Sequence, residues 1–438
     1  MRYMIRAVLW FRSKPVAAAA LFFVLDSLIC WMRVRPIERG RLYAEDSAVF
    51  LAGWFSGHGP LAIFQPYEGY LQFIPRIASG FVALTPVYYW GLATTAAACI
   101  VVGAIGSVSF YSARSLVTSY PALVAIALVP ALLPLAAVEP LGTLCNLHWW
   151  ALYGIFWIIF TRPTTRRTAA VLVVYTLFLG LSEIQIAFFA PLAFWSIVRS
   201  KNRAQRLVNA ALIVSCAAQG VAFLFSSHAI YSTDPQDFHQ VVRGFFLNAF
   251  GGTVTSSQSF LQSLAMLFGY YGLALLAAIS LVPVLIALAR AANRERLAMV
   301  YSGVTGVILW FFAVYVGRNS GGPPVYLIRW GMGAAFCLLI VWIVALDQLI
   351  LARRLDNVLA WFVVAALLII QSFSFTTKND FRIDGPEWTD FVASARAECA
   401  TGADAVTAAV IPSGWVPVGS APANSGEVIW EVPCQRLR

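Results

Sequence analysis

The chain has 438 residues, of which 60% are hydrophobic and 11% charged, with a mean hydropathy of +0.76 and a formal net charge of +10. Soluble domains carry about 25% charged residues, so this composition excludes a soluble enzyme and points to an all-α polytopic membrane protein. The excess of positive charge does not imply nucleic acid as a partner, because membrane proteins gather Lys and Arg in their cytoplasmic loops.

The first residues, MRYMIRAVLWFRSK, are basic and run into an apolar stretch with no small-residue cleavage site, which reads as a retained signal anchor. A membrane span takes about 20 mostly apolar residues. Such segments are expected near 15–34, 86–110, 121–138, 148–160, 169–182, 184–198, 207–226, 259–289, 297–316, 328–350 and 358–375, about eleven in all. Those at 148–160, 169–182 and 184–198 are short enough to be re-entrant. Basic residues crowd the connections at 162–167, 199–206, 290–296 and 353–354, while most carboxylates fall on the other side. That bias predicts an N-terminus inside and a C-terminus outside. The expected organisation is a transmembrane domain, 1–375, with an outer loop 35–85, followed by a small extracytoplasmic tail, 376–438.

The stretch from Tyr43 to Arg76 is too polar to span and too apolar for a linker. It opens on Glu45 and Asp46, turns at Pro66-Tyr67-Glu68-Gly69-Tyr70 and closes on Arg76. Two adjacent carboxylates at a membrane boundary raise each other's pKa, which suits one of them to general-base work near neutral pH. Asp46 is equally suited to cap a helix beginning at Ser47. Outward arginines, Arg33, Arg35, Arg39, Arg41, Arg76, Arg243, Arg318 and Arg329, run against the usual charge bias. A guanidinium binds phosphate bidentately, so a lipid phosphate is the natural ligand, with headgroup contact or pairing to Glu38, Asp234 and Asp237 as the alternative. Arg329, just before the span that starts at Trp330, is the leading candidate.

Asn146, His148 and Trp149 stand where the chain re-enters the membrane after Glu139, and Glu183 reads as a turn residue. Asp26, inside the first span, must face protein or water. Four histidines, scattered, predict no metal cluster, and no nucleotide or zinc-protease motif is present. Of the seven cysteines, Cys399 and Cys434 lie in the polar tail and are expected to pair if that tail faces an oxidising compartment.

The acidic pair in the first outer loop, the Pro-Tyr-Glu-Gly-Tyr-…-Pro-Arg segment, the Asn-Leu-His-Trp re-entry and a late arginine before a span together resemble the GT-C superfamily of polytopic glycosyltransferases. The resemblance implies transfer of a sugar from a polyprenyl-phosphate donor to an acceptor hydroxyl on a glycan or lipid, with inversion and no cofactor, at the bacterial cytoplasmic membrane. It implies a catalytic base at Asp46 or Glu45. Arg329, Arg318 and Arg76 would serve the lipid phosphate, with Tyr67, Tyr70, Asn146 and His148 as further substrate contacts. The chain departs from the common pattern in having Glu-Asp rather than Asp-Asp and only a small tail. An arginine-dependent glycan polymerase or ligase, and a transporter or lipid flippase, are the alternative readings. A transporter should show paired broken spans in two related halves, and the sequence has no such symmetry.

Overall fold

The computed structural model describes residues 13–55, 59–226, 237–316, 328–352, 355–409 and 429–437. The helices that matter here are α1 (Pro15–Arg33), α2 (Phe73–Ala83), α3 (Trp90–Ala113), α4 (Tyr120–Leu132), α5 (His148–Ile159), α6 (Arg166–Gly180), α7 (Ala190–Arg199), α8 (Arg203–Phe225), α9 (Gln258–Arg290), α10 (Asn293–Phe311), α11 (Met332–Leu351), α12 (Asn357–Ser372) and α13 (Trp388–Ala400). Among the described residues the strands form two antiparallel pairs, β1 (Pro66–Tyr67) with β2 (Tyr70–Leu71) and β3 (Ala405–Ala409) with β4 (Ile429–Pro433).

Seven helical stretches among the described residues are long and apolar enough to cross a membrane: Pro15–Arg33, Val87–Ala113, Tyr120–Ala137, Arg203–Phe225, Tyr271–Arg290, Asn293–Val314 and Arg329–Leu351. The chain is thus an all-α membrane protein, but the expected eleven full spans are not all present at full length. The segments at 148–160, 169–182, 184–198 and 358–375 form α5, α6, α7 and α12, of 12, 15, 10 and 16 residues. At 1.5 Å per residue these fall short of a hydrocarbon core about 30 Å thick. The long segment 259–289 is one helix bent at Gly269.

The centre of the bundle is α5. Its sequence, HWWALYGIFWII, has no polar face, and all of its residues are buried. A helix that is apolar all round belongs inside, and this one lies among α3, α6 and α11. Its polar tips meet carbonyls that proline leaves free. Pro130 offers no N–H to the Ile126 carbonyl, and the Tyr153 hydroxyl donates to it instead at 2.9 Å. Pro134 likewise leaves the Pro130 carbonyl open, and Trp150 Nε1 donates to that one at 2.9 Å.

At the end of α1, Arg33 is fully buried and donates to the carbonyls of Ala131, Leu133, Ser374 and Phe375. It joins the ends of α1 and α4 to the start of the tail. Arg35 pairs with Glu38 at 2.6 Å, Arg39 donates to the Val34 carbonyl and Arg41 to the Ile37 carbonyl. This first group of arginines is structural. Asp26 faces protein, with its carboxylate against Gly106 of α3.

The tail folds back on the loop between α1 and α3. Trp388 donates through its backbone N–H to Gly40 and through Nε1 to Val87, and its indole stacks with those of Trp90 and Trp430. A disulfide joins Cys399 of α13 to Cys434 after β4, with Cα atoms 5.5 Å apart.

Candidate active site

The turn that presents the acidic pair is strained. Ala44 has a φ of 45°, a left-handed conformation costing a residue with a Cβ about 1–2 kcal/mol. Such backbone concentrates at functional sites. A π-helical turn, Asp46–Leu51, follows directly, and irregular turns of that kind also favour functional positions.

The two carboxylates part company here. Asp46 is fully buried, and its two oxygens accept the backbone N–H groups of Cys145 at 2.8 Å and Leu144 at 3.1 Å. Burial pushes its carboxyl up to about 6, against the pull of those N–H groups and of Arg382. Asp46 therefore neither caps its own segment nor stands open to a substrate; it pins the Leu144–Cys145 turn. Glu45 remains half-buried. Burial pushes its carboxyl up to about 7, with Asp46 and Glu139 adding to the rise and Arg329 opposing it.

Arg329 sits in a 3-10 turn, Ile328–Gly331, that leads into α11. Its Nη1 donates to Glu139 Oε1 at 2.5 Å, and the Tyr43 hydroxyl donates to the same oxygen at 3.2 Å. A Cβ at residue 331 would stand 2.7 Å from the Asn248 carbonyl oxygen. Glycine there lets the arginine turn lie directly on the Phe245–Phe250 turn, which fixes where Arg329 stands.

A second group is continuous with the first. His148 Nδ1, at the start of α5, is hydrogen-bonded to Glu183 Oε2, whose other oxygen accepts the Gln185 N–H at 2.8 Å. The Tyr70 ring meets His148 edge-on at 5.9 Å, His148 lies 4.6 Å from Trp149, and Trp149 meets Trp330 at 5.5 Å. The Arg329 guanidinium covers Trp330 at 5.6 Å. An aromatic wall thus runs from Tyr70 to Arg329, with Glu45, Glu139 and Glu183 along it. The Tyr70 hydroxyl is pushed above its usual value by burial first and then by Glu183, Glu68 and Glu45.

Tyr67 and Tyr70 owe their places to the β1–β2 hairpin. Glu68 and Gly69, with φ of 56° and 87°, make the two-residue left-handed turn that matches the twist of paired strands. Gln219 of α8 holds the hairpin down by accepting the Leu71 N–H at 2.8 Å and donating to the Leu71 carbonyl at 3.1 Å.

Arg76 on α2 is 3% exposed and lies over the Phe50 ring at 5.4 Å. Its Nε and Nη1 have no partner among the described residues, and burial lowers its pKa to about 10. Asn146 donates to Thr143 Oγ1 and Cys145 Sγ, so its amide braces its own turn. Arg318 lies outside the described residues. Among those residues no group of three or more His, Cys, Asp or Glu is placed to hold a metal.

No role was legible in the sequence for Tyr43, Glu139 or Arg382; Glu183 is the turn residue expected, capping the Gln185 N–H, and it also bonds His148. The available signal was isolation, since a carboxylate flanked by apolar residues needs a partner when buried. Comparison with known proteins finds no matching family model, no matching curated sequence and no matching solved structure.

Proposed function

We propose that this chain is a membrane glycosyltransferase similar to the GT-C superfamily, moving a sugar from a polyprenyl-phosphate carrier to an acceptor hydroxyl on a cell-envelope glycan or lipid. The observation that carries the reading is the position of Glu45, a half-buried carboxyl that burial pushes up to about 7 within reach of the Arg329 charge. Glu45 takes the acceptor's proton as the acceptor oxygen bonds to the anomeric carbon. The bond from that carbon to the phosphate oxygen breaks, and its electron pair stays on the departing lipid phosphate. A single displacement of this kind inverts the anomeric centre. Arg329 stabilises the charge on the leaving phosphate, the kind of electrostatic help that counts most in a water-poor site. Asp46, the other candidate base, accepts the Leu144 and Cys145 N–H groups and so serves to shape the turn beside it.

The same reading sets the site on the extracytoplasmic side. The tail with its disulfide packs at the Glu45 end, and disulfides persist in oxidising compartments. Arg162 follows the far end of α5, Arg199 is the last residue of α7 and Arg294 lies at the start of α10, where basic residues of a cytoplasmic face are expected. A reporter fused behind Cys434 is expected to be active only as an extracytoplasmic reporter. Activity of a cytoplasmic reporter at that point would reverse the orientation.

The reading is tested by reconstituting the protein in liposomes and offering polyprenyl-phosphate sugars with candidate acceptors. Acceptor-dependent release of polyprenyl phosphate is the expected result. Arg329→Ala should slow it more than Arg329→Lys, which keeps the charge but loses the fork. Full activity in Arg329→Ala would remove the phosphate role. Arg76, buried with its Nε and Nη1 lacking hydrogen-bond partners among the described residues, gives the arginine-dependent ligase reading its support. That reading takes over if Arg76→Ala is inactive while Glu45→Gln is not.

A further inference from the structure

At the opposite end of the bundle from Glu45 lies a cavity of about 800 Å³, lined by Arg162, Arg199, Lys201 and Arg294 with Trp195 and Leu297 on its apolar side. The four cations come from three separate segments: the turn after α5, the connection from α7 to α8, and the start of α10. General charge bias accounts for basic residues at this end, but not for their convergence on one hollow.

The walls are braced. Arg294 donates to the carbonyls of Phe160 at 2.9 Å and Ser115 at 3.3 Å, and the Arg162 N–H donates to Ser115 Oγ at 3.0 Å. Across the hollow, Asn202 donates to the Pro163 carbonyl, and Gln205 to the Ile159 carbonyl and Ser196 Oγ. Arg162 and Arg294 stand near enough to repel one another, with Glu295 the nearby acid acting on Arg294. Among the described residues no carboxylate forms a salt bridge with any of the four cations. Like charges around one hollow, in no salt bridge to a carboxylate among the described residues, are complementary to an anion.

We infer that this cavity binds a phosphate-bearing anion, either the headgroup of an anionic phospholipid in that leaflet or free phosphate. Basic pockets between membrane helices recognise phosphodiester headgroups, and Trp195 and Leu297 give a lipid's glycerol and acyl portions an apolar rest. The inference is independent of the transfer reaction and of its substrates.

The test uses the full-length protein in detergent, with native mass spectrometry and thermal melting. Its arms are phosphatidylglycerol, phosphatidylethanolamine and inorganic phosphate. The wild type is expected to retain phosphatidylglycerol in preference to phosphatidylethanolamine, or to be stabilised by inorganic phosphate if the free anion is the ligand. The double variant Arg199→Gln/Lys201→Gln removes two exposed charges and leaves the braced residues in place. It should weaken the anionic ligand by about thirtyfold, from the usual contribution of each basic side chain near an anionic surface. The control, Arg166→Gln/Arg167→Gln, removes as much charge from the same end but outside the cavity lining. Equal loss in both double variants would reduce the effect to general charge and overturn the inference. So would no preference for either anion over phosphatidylethanolamine in the wild type, or unchanged binding in the cavity variant.

Discussion

Glu45→Gln is expected to lower the rate of sugar transfer by about 10²–10⁴-fold, the usual loss when a general base is removed, while the protein remains inserted and folded. The amide keeps the size of the side chain but cannot take a proton. Its neighbour supplies the contrast. Asp46 satisfies two backbone N–H groups in a fully buried place, and Asp46→Asn sets an amide nitrogen against one of them. That should destabilise the fold by about 1–3 kcal/mol, the penalty for an unmatched buried polar group. One variant loses rate and the other loses stability. Near wild-type turnover in Glu45→Gln, measured beside its thermal midpoint, would end the carboxylate mechanism.

The largest structural effect is expected at Arg382. It is fully buried in the first turn of the tail and donates to the Arg41 carbonyl through Nε at 3.1 Å and Nη2 at 2.8 Å. It also donates to the Gly142 carbonyl at 3.0 Å and to Thr95 Oγ1 at 2.7 Å, and its charge acts on Asp46. One side chain therefore ties the tail, the Tyr43 loop, α3 and the Gly142 turn together. Arg382→Ala leaves carbonyls open and a buried carboxylate without its countercharge. Losing one member of a buried charged group typically costs about 3–5 kcal/mol, so the solubilised variant should melt well below the wild type. Arg382→Lys should fall between them, because the ammonium cannot reproduce the fork. A wild-type melting profile for Arg382→Ala would mean that the tail is held chiefly by its tryptophan cluster.

The membrane class was legible because it rests on local composition. The aromatic partners of α5 were legible as apolar residues, but their proton acceptors depend on Pro130 and Pro134 in a neighbouring helix. What was not legible was pairing over long separations. Nothing local links Glu139 to Arg329, Glu183 to His148, or Arg382 to Arg41. Which of Glu45 and Asp46 is held by backbone N–H groups was not legible for the same reason, since adjacent carboxylates differ only in what the fold places against them. The count of spans was hidden because α5, α6, α7 and α12 are apolar enough to resemble spans yet too short to be complete ones.

The pH dependence of transfer tests the role of Glu45 most directly. A raised carboxyl pKa has opposite consequences for stability and activity. Between the ordinary glutamate value of about 4.3 and about 7, the folded state binds more protons than the unfolded one. This group's contribution to stability therefore falls as pH rises through that window and is most favourable below it. Activity needs the ionised form and is lost as pH falls through about 7. Acid inactivation in this range is thus expected without unfolding. The account predicts a single-proton acid limb with its midpoint near 7 in the wild type, accompanied by an unchanged or higher thermal midpoint. A transfer rate that stays flat down to about pH 5, below both raised carboxyls and near the ordinary carboxylate range, would contradict it.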